Sequence, residues 1–297
     1  MKAVKLQTTT LSGTDGPHLL ILGGVHGDEF ESMAAIRRLR DRVDPDALQG
    51  RLTLIPVVNE AAYRRGQRTS EDGLDLARTC PGNPTGSITE RIACAVSQKI
   101  EEANYLIDLH SGGIAMHCYP LAGYMLHPDT AVLEAQRRMA RVFNLPIVWG
   151  TSSHLDGRTL SVARDARIPA IYTEWMGGGQ CDPQGVTRYM EGCLNVMAEL
   201  GMIDRPRPVS RIEYFVEDAR EHSGHLQLNY PAPFSGFFEP AVRLKDRVKP
   251  GDLLGVVTDP LGDRREEVRS VQSGIVLCLR VYNRILEGES AAAVLEG

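Results

Sequence analysis

The chain contains no run of about 18 apolar residues, so no membrane span is expected. Its opening residues, MKAVKLQTTTLSG, lack the apolar core of a signal peptide, and a cytoplasmic location is expected. Cysteine is sparse and unpaired. Six residues (Cys80, Cys94, Cys118, Cys181, Cys193, Cys278) are scattered through 297 without a CxxC. That spacing reads as structural free thiols in a reducing compartment, not as a disulfide frame. Cys118 follows His117, but neighbours on a strand point to opposite faces, so the two make a poor metal-ligand pair. Excess positive charge is also missing: the net charge is −5. The one basic run, RRLRDR at 37–42, falls at helical spacing and reads as a solvated face, so no nucleic acid partner is expected. Finally, no lysine follows Lys249, which excludes a lysine-borne swinging arm in the last 48 residues.

What is present suits a packed core and an ordinary soluble protein: 42% of residues are hydrophobic and 24% charged. The length allows one large or two ordinary domains. Apolar runs at 19–25, 52–58, 104–109, 121–126 and 168–173 read as strands. Helical patterns lie between them at 29–42, 88–102, 130–143 and 186–200. Such alternation predicts an α/β fold with a largely parallel sheet sandwiched by helices. GMIDRPRPVS at 201–210 breaks the last helix and reads as a linker, which divides the chain into 1–205 and 206–297. The second part has short strands punctuated by glycine and proline, and VKPGDLLGVV is answered by ILEGESAAAVL. These halves, joined by DPLGDRR, resemble the barrel-sandwich fold of biotinyl and lipoyl domains, here without the carrier lysine.

Chemistry concentrates where strands end. Residues 19–32, LLILGGVHGDEFES, run from aliphatic residues through a Gly-Gly turn into a helix start. His26 and Glu29 there form an HxxE pair able to converge on one ion, although a surface histidine beside a helix-capping glutamate has the same spacing. Zinc accepts such N/O ligands, and a catalytic site adds a third protein ligand and keeps one position open for water. NYLIDLHSG at 104–112 supplies that candidate in His110. Asp108, on the same strand face, is placed to orient the imidazole, to pair with an arginine or to cap a turn. IPAIYTEWMGGG at 168–179 sets Glu174 before a glycine-rich turn, where a carboxylate can serve as general base and then general acid. Ligands of open α/β sheets gather at the carboxyl ends of strands, which is where His26, His110 and Glu174 fall.

The order HxxE, DLHSG and a strand carrying TE before glycines resembles the succinylglutamate desuccinylase/aspartoacylase family, within the zinc carboxypeptidase-like group. Residues 59–82, NEAAYRRGQRTSEDGLDLARTCPG, resemble the family's Asn-Pro-x-Ala opening, central Arg, Asp-Leu-Asn-Arg and Phe-Pro-Gly close. The resemblance covers nearly the whole chain. It implies a mixed sheet between helices, one Zn2+ per chain on His26, Glu29 and His110, and a C-terminal β domain bordering the cleft or an oligomer contact. It further implies that Arg68 polarises the scissile carbonyl and that Arg78 grips a substrate carboxylate. Arg164, ten residues before Glu174, matches the spacing of a side-chain-binding arginine in aspartoacylases; Arg158 and His154 are the alternatives. Three departures stand out: Ala77 replaces the family Asn, Cys80 the Phe and Glu60 the Pro. A missing amide contact of roughly 1–3 kcal/mol shifts substrate choice without removing the chemistry.

The function expected is therefore a zinc-dependent deacylase that hydrolyses the amide of a small N-acylated amino acid or related amine. A metallocarboxypeptidase acting on small peptides and a non-catalytic metal- or ligand-binding relative are the alternatives. The acyl group, the amine and the presence of a homo-oligomer stay open. His18, His117, His127, His222 and His225 have no partner spacing that assigns them a role.

Overall fold

The computed structural model describes residues 4–221, 223–224 and 229–296. His222 and His225 lie outside the described residues. The chain enters through β1 (Thr9–Ser12) and β2 (Thr14–Leu22), then α1 (Phe30–Arg40), β3 (Gln49–Ile55) and α2 (Glu60–Arg65). There follow α3 (Ile88–Glu101), β4 (Tyr105–Leu109), β5 (Met116–Met125), α4 (Thr130–Phe143) and β6 (Ile147–Thr151). The α/β part ends with α5 (Thr159–Asp165), β7 (Ala170–Gly177) and α6 (Pro183–Glu199).

Strands β3, β2, β4 and β7 run parallel in that order, while β5 is antiparallel to β7 and β1 antiparallel to β3. The sheet is thus mixed, as expected. Alternation along β2 drives the layering. Leu19 and Ile21 pack with Ala35, Ile36, Tyr189 and Val196 on one face, under α1, α4 and α6. Leu20 and Leu22 pack with Ile92, Val96 and Ala163 on the other, under α3 and α5. Helix starts carry their own caps. Asp129 accepts from the Ala131 and Val132 amides, Ser87 and Glu90 form a reciprocal capping box, and Asp182 precedes Pro183.

The expected strands and the four long helices are all present, with shifted ends. β5 begins at Met116, earlier than its apolar run suggested, because its first residues pair with the C-terminal part of the chain. The short elements β1, β6, α2 and α5 were not anticipated; each spans seven residues or fewer. Among the described residues, no helix is long and apolar enough to cross a membrane.

Beyond the linker come β8 (Tyr214–Glu217), β9 (Gly236–Pro240), β10 (Arg247–Val248), β11 (Leu253–Thr258) and β12 (Arg265–Arg269). The chain finishes with β13 (Gly274–Arg280), β14 (Arg284–Ile285) and β15 (Ala292–Leu295). β12, β11, β9 and β14 form a separate four-stranded sheet. It packs through Phe238, Leu254 and Val257 against Val276 and Ala292 of β13 and β15. The other layer is continuous with the large sheet, since β13 pairs with β5 and β8 pairs with β6. The C-terminal strands therefore make a small two-layered β unit grafted onto the large sheet.

Candidate active site

The turn after β2 presents the first two site residues. Gly24 takes a left-handed φ of 60°, and at Gly27 a Cβ would lie 2.1 Å from the Ala62 carbonyl carbon of α2. Glycine at these positions lets His26 and Glu29 turn inward against α2. Glu29 occupies the residue before α1, yet its side chain makes no cap bond, which sets aside the capping reading. Its carboxylate lies between two imidazoles: Oε1 is 2.6 Å from His26 Nδ1, and Oε2 is 2.9 Å from His110 Nδ1. His110 follows β4 directly and is fixed by its backbone. Its N–H donates to the Thr173 carbonyl, and its own carbonyl accepts from the Tyr189 hydroxyl of α6.

His26, Glu29 and His110 are buried, and one ligand atom from each lies within 4.8 Å of the others. The outward nitrogens meet carboxylates: His26 Nε2 is 3.1 Å from Asp75 Oδ1, and His110 Nε2 is 3.0 Å from Asp108 Oδ2. Asp108 also accepts from the Thr159 hydroxyl at the start of α5. With each Nε2–H donated outward, both Nδ1 lone pairs face the Glu29 oxygens. Three electron-pair donors then point at one another, an arrangement that calls for a cation between them. The donor set, two imidazoles and a carboxylate, is that of a catalytic zinc site. The residues fit the metal.

The charges around the triad are strongly coupled. Burial alone would push the Glu29 carboxyl up, but positive charge at the His26 and His110 rings holds it well below the usual carboxylate range, and a bound cation would take that part when the rings are neutral. Asp75, also pushed up by burial, is held far lower by its bonds to His26 and Arg68. Burial opposes the charge of Arg68, yet Asp75 and Glu29 keep its guanidinium firmly protonated. Asp75 Oδ2 accepts from Arg68 Nη2 at 2.9 Å and from Nε at 3.2 Å. Asp75 therefore ties the first histidine to the arginine, a role that sequence reading did not assign. Its place in the DLAR segment was the available signal.

Two cavities meet at the triad, and His26, Arg68 and Glu174 line both. One is narrow, about 50 Å³, and gathers Arg68, Arg78 and Arg158 around Thr159 and Tyr172. Burial and then the Arg158 guanidinium push Arg78 down to about 10, a measure of how crowded with positive charge this pocket is. The Nε and Nη2 atoms of Arg158 are buried without a hydrogen-bond partner. The other cavity, about 330 Å³, opens toward the C-terminal unit, where Arg280, Tyr282 and Glu289 form its far wall. Glu174 projects from β7 between the two, with Oε2 buried and unpartnered, and burial pushes its carboxyl up.

Of the residues expected from sequence, His26, Glu29, His110, Arg68, Arg78 and Glu174 come together. Arg164 does not join them. Its guanidinium is held by Asp156 and Asp165 at 2.8 Å and by the Ser153 carbonyl, and it borders a surface cavity with His127 and His154. The alternative, Arg158, lies in the pocket. His18 sits midway along β2, away from the site, bonded to Thr53 and the Glu102 carbonyl.

Residues 15–200 match the family model described as the succinylglutamate desuccinylase/aspartoacylase catalytic domain. The chain is 30% identical to the N-alpha-acetyl-L-2,4-diaminobutyric acid deacetylase of Halomonas elongata, over 99% of this chain and 86% of that protein. Its fold superposes on a succinylglutamate desuccinylase/aspartoacylase from Rhodobacter sphaeroides with a TM-score of 0.87 and 26% identity, covering 99% of this chain and 90% of the other. The product-bound ectoine utilization protein EutE (DoeB) from Ruegeria pomeroyi gives a TM-score of 0.87 at 27% identity, with 97% and 87% covered. Likeness over this span of sequence and fold places the chain in the succinylglutamate desuccinylase/aspartoacylase family.

Proposed function

We propose that this chain is a zinc-dependent deacylase that hydrolyses the amide bond of an N-acyl amino acid or a close N-acylated amine. The observation carrying this reading is the junction of two cavities at Glu174, with a metal-type triad beside it and three arginines on one side. When bound, Zn2+ on His26, Glu29 and His110 supplies Lewis acidity for a water and for the carbonyl. Glu174 Oε2, free of other partners, takes the proton of the attacking water and delivers it to the departing nitrogen. Arg68, braced by Asp75, donates to the carbonyl oxygen as negative charge develops there. Arg78 and Arg158 hold the substrate carboxylate, and the unpartnered Arg158 nitrogens are the donors such an anion satisfies. Arg158 also offers the polar contact that Ala77 no longer provides. In this reading residues 1–205 carry the chemistry, and 206–297 close the larger cavity over the other end of the substrate.

The deacetylase activity of the Halomonas relative makes N-acetylated amino acids, diaminobutyrate derivatives among them, the first compounds to try. The test is amine release by zinc-loaded protein from N-acetyl and N-succinyl amino acids beside short peptides, with Glu174→Gln as the blank. Release from acylated amino acids, lost in the variant by roughly 10²-fold or more, is the expected result. Release from peptides alone would make the protein a carboxypeptidase, and full turnover by Glu174→Gln would remove that residue from the mechanism.

A further inference from the structure

The C-terminal unit meets the catalytic sheet along β5 and β13, and one residue pair on that seam has chemistry of its own. Cys278 is the direct antiparallel partner of Cys118. Their Sγ atoms are 2.9 Å apart, inside the sum of two sulfur van der Waals radii, while both residues are free thiols. Each sits at a break in strand register. Cys118 precedes the shift in β5 against β7, and Cys278 follows the shift in β13 against β15. Bulges re-aim side chains, and here they turn two cross-strand thiols toward each other. An S–S bond of ~2.05 Å needs only a small closing movement from this position.

Both cysteines line the larger cavity, so a small oxidant entering it reaches them although they are buried. The seam also matters to the cavity itself. Arg280, at the end of β13, holds the carbonyls of Tyr282 and Arg284 and the Glu289 carboxylate, and these residues form the far wall. β5 in turn pairs with β7, opposite Glu174, through Leu121.

We propose that Cys118 and Cys278 form a reversible disulfide site that fastens the C-terminal unit to the catalytic sheet in response to a hydroperoxide. The Cys118 sulfur, which keeps slight exposure where Cys278 has none, attacks a peroxide oxygen. The O–O bond breaks, the outer oxygen leaves with the Cys118 proton as water from hydrogen peroxide or as the alcohol from an organic hydroperoxide, and Cys118 becomes a sulfenic acid. The Cys278 sulfur then displaces the sulfenic oxygen, which departs with the Cys278 proton as water while the S–S bond forms. Two electrons pass from the two thiols to the peroxide, and a dithiol reductant reverses the step.

The test uses the full chain, purified under reduction and then exposed to hydrogen peroxide or kept reduced. Remaining thiols are blocked with a maleimide under denaturing conditions, and the digest is mapped by mass spectrometry. The expected result is a linked peptide pair holding Cys118 and Cys278, lighter by two hydrogens and released by dithiothreitol. It should be accompanied by a higher thermal midpoint that neither Cys278→Ala nor Cys118→Ser acquires on oxidation. Quantitative blocking of both cysteines after the exposed Cys181 has been oxidised would overturn the proposal. So would over-oxidation of Cys118 beside a free Cys278.

Discussion

Replacing Asp75 with asparagine tests the polarity of the whole site, because this carboxylate serves four donors at once. Oδ1 accepts from His26 Nε2 at 3.1 Å and from the Ala77 amide at 2.9 Å, and Oδ2 accepts twice from Arg68. A carboxylate is acceptor-only, whereas an amide must present an NH2 to one of these pairs. If the NH2 faces Arg68, the guanidinium loses both bonds to Asp75 and is left with the longer ion pair to Glu29, 3.7 Å away. If it faces His26, the ring loses the acceptor that fixes its Nε2–H and directs Nδ1 toward the metal. Loss of such an outer partner typically costs about 10–100-fold in metal affinity, or ~1.4–2.7 kcal/mol. Competition against a chromophoric chelator reads the second orientation as this loss of affinity, and a fall in kcat/KM at saturating metal reads the first through the displaced Arg68. Asp108→Asn should weaken metal binding comparably through His110, without the Arg68 component. A folded Asp75→Asn protein with both wild-type metal affinity and wild-type kcat/KM would refute the role of Asp75 as the link between His26 and Arg68.

Arg158→Ala should raise KM for an anionic substrate by roughly 10–150-fold, as expected for losing a charged hydrogen bond of about 1.5–3 kcal/mol, while Arg164→Ala stays near wild type. Steady-state kinetics of the pair decides between them, and the reverse ranking would return the substrate site to Arg164. His18 should give stability an acid limb: burial, reinforced by the Arg51 guanidinium, lowers its folded pKa below the value of ~6.5 in the unfolded chain. The unfolded state then binds the extra proton, so this contribution is complete above about pH 6.5 and is lost as the pH falls toward the folded pKa. Urea unfolding across that range should show the decline in the wild type and not in His18→Gln; parallel declines would remove His18 as its cause.

The local parts of the site were legible because strand ends and short motifs encode them directly. An aliphatic run into Gly23 and Gly24 places His26, and DLHSG does the same for Asp108 and His110. Arg158 and Arg164 show where that legibility ends. Spacing from Glu174 favoured Arg164, but Arg158 is the extended residue just before α5 and Arg164 lies in its last turn. The two stand at opposite ends of the helix, and only Arg158 reaches the pocket. Which one does is settled by how α5 packs on α3, a tertiary fact absent from local pattern. Asp75 escaped for a related reason, since its bond to His26 spans 49 residues. β6 and β8 are short, and they become strands by pairing with β5 and with each other.

The linker near residue 205 marks a division in chemistry more than one in folding. β5 has three sheet neighbours. Its second half pairs with β6 and β7, and its first half pairs with β13 from the C-terminal unit as well as with β7. The apolar cluster at this seam mixes Leu121, Ile147 and Trp149 with Ile275, Leu277 and Leu295. Without the C-terminal strands, the first half of β5 would present an open edge and that cluster would face water, both routes to aggregation. Glu174 is held by β7, β7 pairs with β5, and β5 takes part of its backbone partnership from β13. The second unit therefore contributes more than a wall to the larger cavity: it completes the sheet that positions Glu174.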